Sequence, residues 1–301
     1  MQINDKPFSF YDFLGYLIPG IFGVYSSVFL YKYVKDGTAT LNIFQPSGSL
    51  SEEAIISVIF FYVVGHLLSF FSSMSVEKYS VWTLGYPSSY LFNKSDDKGF
   101  FKGCLVIDDN HKIGSIARCI ARFLIRLIVF IILMPVFLGD IFVRKIFRLH
   151  DMYARSFDDN LMKVVEENTH EILLKFQKKS AIDTSGDTFR LIYHYACEIS
   201  SNHISKMQNY VALYGFTRTL TFIGCLLFWE WIVLNWNSLI IIMKYNYCSF
   251  LFTINFKNFG ILFMIIFLTF FLYWDFNKFY RKFSMEAYLG AIVADKKEGK
   301  C

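Results

Sequence analysis

Charged residues are scarce in this sequence. Asp, Glu, Lys and Arg together make up 18% of its 301 residues, whereas a soluble globular domain carries about 25%. The mean hydropathy is +0.38, and 20% of the residues are aromatic, with 35 Phe and 19 Tyr. One soluble core of this size does not need so many large apolar side chains. The composition therefore excludes an ordinary soluble domain and predicts a protein that presents apolar surface to lipid and aromatic rings to the membrane interface.

Recognisable catalytic motifs are also missing. The six cysteines form no C-x-x-C pair and are typical of small buried side chains in a reducing compartment. The sequence contains no P-loop, no G-x-G-x-x-G and no G-x-S-x-G motif. His170 and Glu171 begin a zinc-protease pair, but Leu174 stands where the second histidine is required. We therefore expect no enzymatic activity, no metal and no other cofactor.

Four apolar runs are long enough to cross a bilayer core, which takes about 20 helical residues. They are residues 13–31, 54–71, 220–243 and 259–274. Apolar residues also recur at helical spacing between the second and third runs and after the fourth. We predict an all-α integral membrane protein with about four transmembrane helices, a helical cytosolic domain between spans two and three, and a helical C-terminal tail. The predicted divisions are a transmembrane pair at 1–74, the cytosolic domain at 75–218, a second transmembrane pair at 219–274 and the tail at 275–301.

A fifth apolar run, Leu127 to Leu138, is ambiguous. It is interrupted by Pro135 and has arginines on both sides. As a helix it would rise only about 18 Å, less than the roughly 30 Å of a bilayer core. We interpret residues 118–148 as an interfacial amphipathic helix, and whether residues 127–138 cross the membrane stays open at this point.

Charge distribution predicts the orientation. Lys and Arg outnumber Asp and Glu in the long middle segment and in the C-terminal tail. Positively charged loops stay on the cytosolic side of a membrane. With four spans, the middle segment and both termini are therefore predicted to be cytosolic.

A basic stripe is the main candidate for ligand binding. Arg118, Arg122 and Arg126 recur every four residues, so a helix places them on one face. Arginine's planar fork of donors matches phosphate oxygens. The stripe and the basic residues beyond it are predicted to bind phosphates, either of lipid headgroups or of a nucleotide or single-stranded oligonucleotide. Ordinary contact of a membrane-surface helix with headgroups is the alternative. The additional residues are Arg144, Lys145 and Arg148.

Polar residues inside the apolar runs are candidates for an ion path. Glu230 lies in the third run, where an ionisable side chain is costly unless it faces water or a partner. His66 in the second run and Asn235 in the third add polarity; His66 would line a pore, pair with Glu230 or make a structural hydrogen bond. Pro19 and Gly20 make the first run easy to bend, and either a gating hinge or close helix packing would use them.

The first apolar run also carries a family resemblance. Residues Phe10 to Gly20 read FYDFLGYLIPG, which resembles the start of bacterial membrane proteins encoded beside antiphage defence genes. The order of two spans, a helical segment, two spans and a tail is most similar to the membrane effector of Hailong-type systems. This resemblance implies an oligomeric channel controlled by a DNA-like oligonucleotide that a partner nucleotidyltransferase makes. It also implies a location in the bacterial inner membrane, and no family site residues are carried over.

These observations predict a homo-oligomeric membrane channel, with a tetramer favoured, that is gated through its cytosolic domain. One protomer with four spans is too small to enclose a wide pore. Its expected setting is antiphage defence, with an oligonucleotide-type ligand controlling opening and membrane depolarisation as the output. The rival function is a non-conducting membrane sensor or scaffold that recruits a cytosolic partner. A transporter or a lipid-acting membrane enzyme is less favoured.

Overall fold

The computed structural model is almost entirely helical over the residues that it describes, and no strand occurs among them. The predicted all-α class is confirmed for this part of the chain. The described residues are 12–36, 50–93, 100, 112–143, 155–177, 188–199, 201–236 and 256–298.

Ten α-helices follow one another in this described part, together with two single π-helical turns. The π-helical turns are Phe13–Leu17, directly before α1, and Ser73–Glu77, between α2 and α3. The helices are α1 (Ile18–Asp36), α2 (Leu50–Ser72), α3 (Lys78–Leu84), α4 (Pro87–Tyr90), α5 (Lys112–Ile132), α6 (Met134–Ile141), α7 (Asp159–Gln177), α8 (Thr188–Ile199), α9 (Ser201–Leu234) and α10 (Phe256–Glu298).

Four helical stretches are long and apolar enough to cross a membrane. Three of them contain the predicted runs 13–31, 54–71 and 259–274 and extend beyond them; the third covers 220–234 of the predicted run 220–243, of which residues 237–243 lie outside the described residues. The third begins on the N-terminal side of the predicted run, and the fourth continues into the predicted tail within one helix of 43 residues. Neither α9 nor α10 contains a proline that would interrupt it. The stretches are Phe13–Lys35, Glu53–Tyr90, His203–Leu234 and Phe259–Ala294.

Helix α9 lies at the centre of the four span helices. Half of its apolar window is buried (50%), against 17–22% for the other three. It packs along α10 over much of its length and also contacts α1, α2, α6 and α8. The outer helices consequently present most of their apolar side chains, such as Ile59, Phe70, Phe263 and Leu268, to the surroundings. This is the surface expected of helices that face lipid or neighbouring protomers.

The first two span helices cross at a pair of glycines. A β-carbon added at Gly65 would collide with the backbone carbonyl of Tyr16, and one added at Gly20 would collide with the carbonyl of Phe61. Small residues let helix backbones approach this closely. Gly20 and its neighbour Pro19 are both buried, so the structure gives Gly20 a packing role, and the gating hinge at Pro19 and Gly20 stays a prediction.

Gly65→Ala is expected to destabilise the protein by about 1–3 kcal/mol, the usual effect of overpacking, because α1 and α2 must separate. Gly260→Ala is the matched control, since nothing lies within 4 Å of a β-carbon added there. Unfolding of both variants in detergent, followed by circular dichroism, measures the difference. Equal stability of the two variants would contradict the close α1–α2 contact.

The remaining helices form a second packed region, the distal lobe, consisting of α4, α7, α8, the first turns of α9 and the last turns of α10. Its core contains Val165 and Ile172 of α7, Ile192 of α8, Met207 of α9 and Tyr288 of α10. The apolar residues that recur at helical spacing between the second and third runs lie on α7 and α8, so the predicted helical segment is confirmed for these described residues. Ser200, between α8 and α9, lies outside the described residues. The C-terminal part of α10 packs on the first turns of α9, where the His203 ring nitrogen lies 2.7 Å from the Glu286 carboxylate.

The ambiguous fifth run forms a sharply bent helix pair. Helices α5 and α6 meet at 82°. Pro135 has no N–H with which to bond the carbonyl of Ile131, and the indole of Trp229 donates instead, to Ile131 at 3.1 Å and to Ile132 at 3.3 Å. Trp229 lies in the third span, so the bend reaches beside that helix rather than remaining outside the bundle. By length and composition, the bent pair is either a broken span or a re-entrant loop.

Candidate functional sites

The basic stripe shares a face of α5 with Val129, because residues three, four, seven and eleven apart share a helix face. Val129 is buried and Ile125 is exposed, so this face meets the rest of the protein toward its C-terminal end. Arg118 and Arg122 are exposed, whereas Arg126 is partly buried. The Arg126 guanidinium lies 4.9 Å from the centre of the Trp82 ring and donates a hydrogen bond to the carbonyl of Phe100. The structure therefore divides the predicted stripe: Arg126 holds α5 to α3, and Arg118 and Arg122 remain at the surface.

The opposite face of α5 is apolar and exposed. The positions alternate by three and four residues, as expected for one face of a helix. An exposed apolar face backed by arginines is the pattern of a helix lying at a membrane surface. The remaining predicted basic residues, Arg144, Lys145 and Arg148, lie outside the described residues. The exposed apolar side chains are Ile116, Ile120, Phe123, Leu124, Leu127, Ile128 and Ile131.

Glu230 borders a cleft of about 300 Å³ between three span helices. Glu230 is partly buried, and Ser27 of α1 lines the same cleft. The other walls are apolar and come from α1, α2 and α9, with Val64, Leu68 and Ile223 among them. A carboxylate in such surroundings attracts a cation, because few other groups offset its charge.

His66 and Asn235 do not join Glu230. The His66 ring stacks on Tyr16 at 3.7 Å and meets Tyr62 edge-on at 4.6 Å. Since Val64 and Leu68 line the Glu230 cleft, His66, two residues from each, points to the other side of α2. The Asn235 side chain donates to the carbonyl of Trp231 at 2.9 Å and so closes the end of its own helix. Of the three predicted intramembrane polar residues, Glu230 is the one that lines the cleft described between α1, α2 and α9.

A buried ion pair that the sequence did not reveal joins the second and third spans. Arg218 of α9 is 9% exposed and pairs with Glu77 in the π-helical turn after α2. Its guanidinium also donates to the hydroxyls of Ser72 at 3.2 Å and Ser69 at 3.5 Å. Thr219 lies 3.4 Å from Ser72 in the same cluster. The only sequence signal was the concentration of Ser and Thr at the ends of two apolar runs.

Further polar contacts continue from this ion pair toward the distal lobe. The Tyr79 hydroxyl donates to the buried carboxylate of Asp140 at 3.3 Å, which ties α3 to α6. Ser80 donates to the Asn277 side chain at 2.5 Å, which ties α3 to α10. The second span, the bent helix pair and the fourth span are thus connected by specific polar contacts near Glu77 as well as by apolar packing.

Comparison with known proteins assigns no family or function to the chain. No protein-family model, curated protein or solved structure matches the chain. Within the described part of the chain, no group of three or more His, Cys, Asp or Glu side chains is placed to hold a metal ion. The sites are therefore interpreted from their own geometry.

Proposed function

We propose that this protein is a homo-oligomeric membrane channel whose opening is controlled through the distal lobe. The observation that carries the proposal is that a single helix, α9, connects the distal lobe, the Arg218–Glu77 ion pair and Glu230. It contributes Met207 to the core of the distal lobe, passes the ion pair at Arg218 and reaches Glu230 without a break. A rearrangement of the lobe would thus move the carboxylate directly.

Oligomerisation follows from the size and surface of the protomer. The cleft beside Glu230 lies among the helices of a single chain and is too narrow to be a wide pore. Three of the four span helices have more than three quarters of their apolar windows unburied, which leaves surface for both lipid and neighbouring protomers. A tetramer is favoured, with the Glu230 clefts arranged around its axis.

The orientation that we propose has the distal lobe and both termini in the cytosol and four spans in the bacterial inner membrane. The excess of Lys and Arg in the middle segment supports this. Helix α5 would lie in the cytosolic leaflet, with Arg118 and Arg122 at the level of the lipid headgroups. The resemblance of Phe10 to Gly20 to Hailong-type effectors supports a setting in antiphage defence, with a nucleotidyltransferase as the functional partner and an oligonucleotide as the ligand.

Ion flux from liposomes tests this function. Purified full-length protein is reconstituted, its insertion is verified by flotation, and potassium release is recorded together with particle mass in detergent. A closed oligomer and release that scales with the amount of inserted protein are expected. An inserted protein that releases no potassium, with or without oligonucleotide, would instead be the non-conducting sensor or scaffold.

A further inference from the structure

An aromatic pocket of about 510 Å³ opens in the distal lobe. Three separate parts of the chain form it: the first turns of α8, the middle of α10, and the turn between α3 and α4. Five of its lining side chains are aromatic and one is an arginine. These six residues are Tyr86, Phe189, Arg190, Tyr193, Tyr280 and Phe283.

The walls of the pocket are fixed and its mouth is open. Phe283 is buried, and its ring meets Phe189 edge-on at 6.0 Å and Tyr193 at 5.5 Å. Tyr86 and Arg190, by contrast, are exposed at the rim. Burial, together with its interaction with Cys197, raises the pKa of Tyr193 above its ordinary value. The pocket therefore offers rigid aromatic surfaces inside and a cation at the entrance.

This arrangement has the chemistry of a nucleotide site. The volume is within the usual range for small-ligand pockets, about 300–1,000 Å³. Aromatic side chains stack on nucleobases of any sequence, and an arginine fork binds phosphate through paired hydrogen bonds. Phe189 and Arg190 also lie in the first turn of α8, where the positive end of the helix dipole favours an anion.

We propose that the pocket binds one nucleotide unit, with its base among the aromatic rings and its phosphate at Arg190. The unit is either a free mononucleotide or one residue of an oligonucleotide. This inference rests on the proposed function, because it identifies where the controlling ligand acts. According to this proposal, the specific nucleotide contact lies in the distal lobe and not on the basic stripe of α5.

The pocket is also placed to influence the spans. Tyr280 lines it, and the Tyr280 ring lies 5.2 Å from the ring of Tyr214, one helical turn before Arg218 on α9. Arg218 in turn pairs with Glu77 in the π-helical turn after α2. A ligand that fits one relative position of α8 and α10 better than another shifts the balance between those positions by its difference in affinity. Because α10 continues into the fourth span, that shift reaches the membrane.

Equilibrium binding to the full-length protein in detergent tests the proposal. The probes are the common nucleoside monophosphates, short single-stranded DNA oligonucleotides and inorganic phosphate. We expect Tyr86→Ala and Arg190→Gln each to weaken nucleotide binding about tenfold or more, since stacking and phosphate contacts have this size. Lys163→Gln, which removes an exposed charge on α7, is expected to leave the affinity unchanged.

The possible results distinguish a free nucleotide from an oligonucleotide strand, and failure of the pocket from failure of the channel. Similar affinity for monophosphates and oligonucleotides would identify a free nucleotide, and much tighter, more salt-sensitive oligonucleotide binding would identify a strand. Unchanged binding in both variants, or no binding by the wild-type protein at low salt, would overturn the pocket. Loss of binding in Arg118→Gln alone would overturn it in favour of the α5 stripe. The binding assay does not depend on conductance. The protein could therefore bind nucleotide in the pocket without being a channel, or conduct ions without binding nucleotide there.

Discussion

Arg218→Met is expected to destabilise the protein by about 3 kcal/mol, the lower end of the range for breaking a buried ion pair. The lower end applies because the Glu77 side chain keeps 28% of its exposure. Methionine preserves the apolar stem, so the loss comes mainly from leaving the Glu77 carboxylate and the hydroxyls of Ser69 and Ser72 without their donor.

A double-mutant cycle makes this measurement specific. Glu77→Gln combined with Arg218→Met removes both charges and is expected to recover part of the stability, because no unpaired charge then stays buried. Lys278→Met is the surface control, since its ion pair with Asp275 is about half exposed on both sides and should contribute less than about 1 kcal/mol. Detergent unfolding curves in which Arg218→Met and Lys278→Met behave alike would show that the ion pair does not stabilise the junction of the spans.

Glu230→Gln is expected to lower cation flux about tenfold while the protein still inserts. A carboxylate and a cation 4 Å apart attract by about 4 kcal/mol at an effective dielectric constant of 20. Losing only about 1.4 kcal/mol of this attraction lowers cation occupancy of the cleft about tenfold. Glutamine keeps the shape of the side chain, so the cleft itself should persist. Potassium and chloride release from liposomes give the flux and its selectivity.

Glu167→Gln is the control for this experiment. Glu167 is an exposed residue of α7 in the distal lobe, and its replacement should leave both flux and selectivity unchanged. If Glu230→Gln inserts fully and conducts with the selectivity of the wild type, the carboxylate does not border the ion path.

The span helices could be predicted from the sequence because their signal is local. An uninterrupted apolar run indicates both a helix and its length, and each of the four runs lies on a helix of the structure over its described residues. Pro135 likewise indicated a break in the fifth run. The hydrogen bonds that Trp229 donates at this break connect residues 98 and 97 positions apart, and no local pattern encodes such a pairing.

The sites were predicted less well for the same reason. Arg218 was counted among the charges of the soluble segment, and its partner Glu77 is 141 positions away. Conversely, Asn235 was predicted to border an ion path because it is a polar residue in an apolar run, although its side chain donates a hydrogen bond to the Trp231 carbonyl of its own helix. Spacing placed Arg126 correctly on one face with Arg118 and Arg122. It did not indicate that Trp82 and the Phe100 carbonyl would occupy the Arg126 guanidinium.

Current recording across a planar bilayer, with short single-stranded DNA added to one side and then the other, tests the central claim most directly. The protein is inserted in one orientation, which protease access to the distal lobe establishes. The account predicts stepwise currents whose open fraction changes only when DNA is added on the side of the distal lobe. A bilayer that contains the inserted protein and carries no current under either condition would contradict it.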